Sequence, residues 1–152
     1  MQSTPQDAQR VSLLFQYGVL DASAVIGWAD AAIVQMDSPP DALLELSATA
    51  PEKTADVLSC LHCLSSGAEF WPALRSAMPQ LRDFVVSHPE RAESIAYHLF
   101  LTACGFGVAD VPGDLHFIYR IDDAFSLARD GSYGDTESVY REFVHEMENL
   151  QR

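Results

Sequence analysis

Three groups of side chains in this sequence have types and spacings that could support chemistry. The first is Cys60-Leu-His-Cys63, the Cys-x-x-Cys spacing used in thiol–disulfide exchange and in zinc coordination. A redox cysteine needs a helix N-terminus to lower the pKa of its thiol, but this pair lies deep in a predicted helix. A zinc site needs a second ligand pair, and the spacings of His62, His98 and Cys104 match none. We therefore interpret Cys60 and Cys63 as small buried residues without a metal.

A second group, His116, Arg120 and Asp123, lies at i, i+4 and i+7 of a predicted helix and therefore shares one face. A histidine, an arginine and a carboxylate together could carry out general acid–base catalysis or bind a small ligand. The same residue types more often form a salt-bridge network between helices. The sequence places no nucleophile beside these three residues. An enzyme or small-ligand binder with a pocket near them is therefore the alternative hypothesis and not the principal one.

The third group, Glu142-Phe-Val-His145, has the Glu-x-x-His spacing of di-iron four-helix proteins. Those proteins need the motif twice, together with glutamates from two other helices, and this sequence lacks a second copy. Glu146 and Glu148 follow directly, which indicates a solvated face on an amphipathic C-terminal helix. These motifs lead us to expect no catalytic residue, no metal and no other cofactor.

The charge of the chain is its strongest compositional feature. Twenty-two acidic residues face nine basic ones, and the formal net charge is −13. From Val19 to Glu69 the only base is Lys53, against eight acids. Such a negative field repels nucleic acids and anionic membranes, but it can steer a basic protein partner. The composition thus predicts no binding to nucleic acid or membrane.

Length and composition are typical of one globular domain. The chain has 152 residues, of which 48% are hydrophobic, and a chain of this length can bury a core without disulfides. No apolar run approaches the ~20 residues that span a bilayer. The first ten residues lack the basic and apolar regions of a signal peptide, and three cysteines do not form a secreted disulfide framework. We therefore expect a cytoplasmic protein.

Apolar residues recur with the helical period along almost the whole chain, and no segment alternates convincingly with the period of a strand. The pattern predicts an all-α, single-domain bundle of about eight helices with short connections over residues 1–152. Pro79 is expected to kink or restart the fifth helix. The predicted helices cover roughly residues 4–17, 21–36, 40–47, 49–64, 68–87, 88–104, 113–130 and 136–150.

Residues 28 to 46, WADAAIVQMDSPPDALLEL, predict two helices joined by a proline corner. Pro40 suits the first position of the second helix, which is expected to turn its three leucines inward. The next helix is expected to begin with a capping box formed by Thr49 and Glu52. Predicted apolar sides include Leu43, Leu44 and Leu46, then Val57, Leu58, Leu61 and Leu64, and later Phe117, Ile118, Ile121, Phe125 and Leu127.

The span from Tyr17 to Ser47 also carries a resemblance to a known class of protein. Its sequence YGVLDASAVIGWADAAIVQMDSPPDALLELS resembles the N-terminal pattern of small acidic all-helical bacterial proteins of the immunity-protein type. The likeness rests on Trp28-Ala29-Asp30, Asp37-Ser38-Pro39-Pro40 and Leu44-Glu45-Leu46-Ser47. The resemblance implies a helix, a proline corner and a second helix in a protein that neutralises a toxic partner. It carries over no functional residue.

The principal hypothesis is a non-enzymatic acidic helical protein that neutralises or sequesters a basic protein partner. Electrostatic steering would bring the partner in, and an acidic helical face would then cover its site. A simply solvated surface is one alternative for the same carboxylates, and a structural module that forms a homodimer through an apolar patch is another. The carboxylates assigned to the face are Asp30, Asp37, Asp41 and Glu45, flanked by Glu52 and Asp56.

Overall fold

The computed structural model describes residues 4–150, and within them it contains eight α-helices and no β-strand. Helices make up 76% of the structure, which confirms the predicted all-α class and the predicted number of helices. No helix in the described part has both the length and the apolar character needed to cross a membrane. The helices are α1 (Thr4–Gln16), α2 (Ala22–Val34), α3 (Asp41–Ser47), α4 (Thr54–Leu64), α5 (Phe70–Ser87), α6 (Ala92–Cys104), α7 (Phe117–Arg129) and α8 (Thr136–Asn149).

The chain divides into two compact units, Met1–Ala77 and Met78–Arg152, which are described separately. The boundary falls inside α5, next to Pro79. The sequence predicted a kink or a new helix at this proline, but α5 includes it as an interior residue and does not begin anew there. An interior proline removes one helical hydrogen bond. Burial of the neighbouring side chains of Met78 and Leu81 stabilises the helix against that loss.

In the first unit α1 packs against α4, and α3 packs against both α2 and α4. Two predicted core residues differ from expectation, because Leu44 is 46% exposed and Leu58 is 36% exposed. The helix α3 has only seven residues, so Leu43 and Leu46 occupy its inner side. Leu44 lies about 100° further round the helix and faces outward. The buried side chains of this core include Val11, Val25, Leu43, Leu46, Val57, Leu61 and Leu64.

The connections on the two sides of α3 differ in two details from the sequence-based prediction. Pro40 precedes α3 as its N-cap in an extended conformation, with φ −62° and ψ 149°, and is not the first helical residue. The predicted capping box of Thr49 and Glu52 is wrong, since α4 begins only at Thr54. The hydroxyl of Thr49 instead donates to the carbonyl oxygen of Glu45 at 2.8 Å. The hydroxyl therefore bonds to the backbone at the C-terminal end of α3 and does not cap α4. Threonine hydroxyls commonly form such hydrogen bonds to a carbonyl oxygen four residues earlier.

A polar bridge joins α1 to α2 across the apolar core of the first unit. The indole Nε1 of Trp28 donates to Oδ2 of Asp7 at 2.8 Å. The other carboxylate oxygen of Asp7 accepts a hydrogen bond from Nε of Arg10 at 2.9 Å. All three side chains are partly buried, so this charge-assisted bridge is shielded from water in part. It holds α2, and with it the start of the proline corner, against α1.

In the second unit α7 packs against both α6 and α8. Phe125 of α7 and Phe143 of α8 meet edge to face, with ring centroids 6.2 Å apart. Leu127, predicted to face the core, is 37% exposed near the end of α7. The carboxylate of Asp135 caps α8 by accepting from the backbone N–H of Ser138 at 2.9 Å. The core of this unit includes Ile95, Leu99, Leu115, Ile118, Ile121, Val139 and Met147.

Candidate functional site

The six predicted carboxylates lie on α2, α3, α4 and their connections, and we call them the acidic surface. All six side chains are exposed. Within residues 4–150 none of them forms an ion pair, and Lys53 is the only base in the sequence from Val19 to Glu69. Among the described residues, no ion pair therefore neutralises their negative charge. The acidic surface comprises Asp30, Asp37, Asp41, Glu45, Glu52 and Asp56.

The structure brings two members of the acidic surface together beside a cysteine. Glu45 of α3 and Asp56 of α4 line a small cleft of about 80 Å³ with Cys60 and Cys63. Burial raises the pKa of the Cys60 thiol, and the negative charge of Glu45 raises it further. A thiol held protonated in this way is a poor nucleophile, so this pair of carboxylates does not activate Cys60.

The other members of the acidic surface have separate surroundings. Asp30 accepts a hydrogen bond from the hydroxyl of Ser47, which connects α2 to the end of α3. Glu52 lies with Asp21 on a shallow cleft of about 640 Å³ beside Phe15. Asp21 was recognised in the sequence only as a helix start, and its side chain does cap α2 by accepting from the backbone N–H of Ala24. The acidic surface is thus a set of neighbouring exposed charges and not one pocket.

Carboxylates in the second unit are, by contrast, extensively paired with arginines. Arg120 of α7 donates to Glu142 and to Glu146 of α8, the latter at 2.9 Å. Arg129 of α7 pairs with Glu93 of α6, and Arg141 pairs with Glu137 one helical turn earlier. The negative charges of this unit are therefore partly compensated, whereas those of the acidic surface are not.

The three residues of the alternative hypothesis have different surroundings. Arg120 is engaged by the two glutamates of α8. A ring nitrogen of His116 lies 2.9 Å from the carbonyl oxygen of Val111, and the side chain of Asp123 is exposed. Arg120 therefore forms salt bridges between helices, the common role of such residues, and its partners are the two glutamates of α8. None of the three residues lines the two clefts that Glu90 and Glu93 border in this unit.

The Cys-x-x-Cys pair lies within α4, as the sequence predicted. Both cysteines are free, but only Cys60 is buried, whereas Cys63 is exposed. The prediction that both are buried is therefore wrong for Cys63, because residues three apart on a helix are rotated by about 60° from one another. In the described part of the chain, no group of three or more histidine, cysteine or acidic side chains is arranged to hold a metal ion.

A pair of adjoining clefts in the second unit was not predicted from the sequence. The first, which we call the α6–α7 cleft, has a volume of about 450 Å³ and is lined by Glu90, Glu93, Ser94, Tyr97, Asp122, Ser126 and Arg129. The second has a volume of about 740 Å³, shares Glu90 and Glu93 with the first, and extends to Phe125 and Tyr140. Both volumes lie in the range of about 300–1,000 Å³ that is typical of small-ligand sites.

In the α6–α7 cleft the pKa of Asp122 is raised above its ordinary value. Partial burial raises its pKa, and the negative charges of Asp123 and Glu93 add to that effect, while Arg129 opposes it. Within residues 4–150 Asp122 has no hydrogen-bond or ion-pair partner. The sequence patterns did not single out Asp122, Glu90 or Glu93 as a site. Their convergence depends on the packing of α6 against α7 and could not be found from spacing.

No protein family, curated protein or solved structure matches this chain. The resemblance of residues 17–47 to immunity-type proteins therefore stays a prediction.

Proposed function

We propose that this chain is a non-enzymatic binding protein whose acidic surface docks a basic protein partner and neutralises it. The supporting observation is the contrast between the two units. Among residues 4–150 the exposed carboxylates of the acidic surface form no ion pair, while many carboxylates of the second unit are paired with arginine. An exposed, uncompensated set of charges is available to a partner without first breaking internal ion pairs.

Exposed apolar side chains accompany these charges and suit the centre of an interface. Val34 of α2 is 80% exposed one helical turn after Asp30, and Leu44 of α3 is exposed beside Glu45. Protein interfaces combine a central apolar area with a charged rim. In the proposed complex the carboxylates attract and orient the partner, and Val34 and Leu44 lose their contact with water when the surfaces meet.

The proposed mechanism predicts a strong dependence on salt. Exposed charges are screened over about 10 Å at 0.1 M ionic strength, so long-range attraction weakens as salt increases. The rate of association should fall steeply with salt, whereas dissociation should depend mainly on the apolar contacts. The immunity-type resemblance is consistent with such an inhibitor, and its partner would be a protein with a basic active surface.

The test compares two variants with the same loss of charge. In the first, Asp30→Asn, Asp41→Asn, Glu45→Gln and Asp56→Asn neutralise the acidic surface. The control carries Asp83→Asn, Asp110→Asn, Asp123→Asn and Asp130→Asn, which are exposed in the second unit.

Each immobilised protein is exposed to lysate of the source organism at low salt, and captured proteins are identified, purified and measured for binding. We expect a basic protein that binds the wild type and the control at least about tenfold more tightly than the neutralised surface variant. Equal binding to all three proteins, or a partner without a basic surface, would overturn the proposal.

A further inference from the structure

The α6–α7 cleft contains more negative charge than its own arginine neutralises. Glu90, Glu93 and Asp122 line it, and Arg129 is the one basic residue among its lining side chains. Arg129 is already paired with Glu93, and its Nε lies 3.7 Å from a carboxylate oxygen of Asp130. Asp122 and Glu90 have no ion-pair partner among residues 4–150. A ligand with a positive charge would supply the missing counter-charge.

Aromatic rings border the same space. Tyr97, which is 50% exposed, lines the α6–α7 cleft, and Tyr140 lines the adjoining cleft, which shares Glu90 and Glu93 with it. Ring faces attract organic cations and also cover the apolar body to which an amino group is attached. The apolar side chain of Phe125 also lines the adjoining cleft. The cleft therefore suits a cation carried on an apolar body better than a hydrated metal ion.

From this arrangement we infer that the α6–α7 cleft is a binding site for a small organic cation, an amine or guanidinium on an apolar or aromatic body. The cationic group pairs with Asp122 and Glu90, and the apolar part lies against Tyr97 and extends towards Tyr140. This site is independent of the acidic surface of the first unit and does not rest on the function proposed for it.

The negative charge of the α6–α7 cleft also disfavours anionic and neutral ligands. A carboxylate or phosphate ligand would meet Glu90, Glu93 and Asp122 with only Arg129 to bind it, and that arginine would have to leave Glu93. A neutral ligand of the same shape would fill the space without satisfying Asp122. Partial burial of Asp122 strengthens its attraction for a cation relative to a fully exposed carboxylate.

The experiment uses phenethylamine as the cationic probe, with 2-phenylethanol as its neutral analogue and phenylacetate as its anionic analogue. Each is titrated into the full chain at low salt and pH 7.5, and binding is followed by amide chemical shifts in two-dimensional NMR. We expect phenethylamine to shift amides of α6 and α7 and to bind about tenfold or more tightly than either analogue.

Three substitutions decide whether the cleft is responsible. Asp122→Asn, which keeps the side-chain shape, should weaken binding of phenethylamine about tenfold. Asp123→Asn removes the adjacent charge, which does not line the cleft, and should leave binding within about twofold. Arg129→Gln releases Glu93 and should strengthen binding.

Equal affinity for phenethylamine and 2-phenylethanol would overturn the inference, as would equal effects of the two asparagine variants. Absence of binding by phenethylamine would do the same. Binding of an arginine-containing peptide in the absence of amine binding would replace the small-molecule assignment with a peptide site.

Discussion

The hydrogen bond between Trp28 and Asp7 provides a quantitative test of how the first unit holds α2, the helix that carries Asp30. We consider Trp28→Phe, which keeps an aromatic ring but removes the indole N–H that donates to Asp7 at 2.8 Å. Arg10 continues to pair with the same carboxylate at 2.9 Å. The substitution therefore removes one contact of a bridge and leaves the other in place.

The expected loss of stability has two parts. A hydrogen bond to a charged group contributes about 1.5–3 kcal/mol, and partial exposure of both partners reduces this to about 1 kcal/mol here. The smaller ring also buries roughly 30–40 Å² less apolar area, which costs about 1 kcal/mol. We expect the free energy of unfolding to fall by about 2 kcal/mol in total.

The assay is urea unfolding followed by circular dichroism at a helical wavelength, because replacing Trp28 alters the fluorescence signal itself. The midpoint should decrease while the slope with urea stays unchanged. A double-mutant cycle with Asp7→Ala isolates the contact and should give a coupling energy of about 1 kcal/mol. A coupling energy below about 0.3 kcal/mol, the usual error of additivity, would refute the role assigned to this hydrogen bond.

Three further predictions follow from burial and capping. Leu43→Ala should lower the free energy of unfolding by about 2–5 kcal/mol, because Leu43 is buried. Leu44→Ala should lower it by under about 1 kcal/mol, because Leu44 is exposed. Urea unfolding of the two variants measures the difference, and equal losses of stability would contradict the faces assigned to these leucines. Hydrogen bonds from Ser138 lower the pKa of Asp135 in the folded chain. The stability that Asp135 contributes is therefore present above its unfolded-state pKa and is lost as the pH falls through the lower folded-state pKa. Asp135→Ala should therefore destabilise the chain in urea titrations at neutral pH but not at strongly acidic pH, and a loss independent of pH would contradict this. Iodoacetamide should modify the exposed Cys63 before the buried Cys60, whose pKa is raised by burial. Mass spectrometry of early time points measures the order, and earlier modification of Cys60 would contradict this prediction.

The helical class of this chain follows directly from local sequence signals. Apolar residues at helical spacing, proline at helix starts and glycine at helix ends are properties of neighbouring residues, and the predicted number of helices was confirmed. The second helix illustrates this information, since it was predicted to begin near residue 21 and the side chain of Asp21 caps α2. Errors arose where two local signals competed. Thr49 could cap the next helix or close the previous one, and its hydroxyl bonds back to Glu45.

The buried face of a helix depends on the helices that pack against it. Sequence patterns therefore predicted some buried residues correctly and others wrongly. The leucines at 43, 44 and 46 have equal hydrophobicity, but α3 meets α2 and α4 on one side only, so Leu44 faces outward. The same reason places Cys60 inside and Cys63 outside. Charges of the acidic surface could be counted from the sequence, whereas only the tertiary structure shows that they form no ion pair among residues 4–150.

The α6–α7 cleft shows the limit of sequence reasoning most directly. Glu93 and Asp122 are far apart along the chain, and no spacing rule relates them. Packing of α6 against α7 brings both carboxylates to one cavity, where burial and mutual repulsion raise the pKa of Asp122. Composition and periodicity were sufficient to establish an acidic, all-helical chain because they act over a few residues. The clefts, the pairing of arginines with glutamates and the exposed face of α3 depend on contacts between distant segments, which local patterns do not encode.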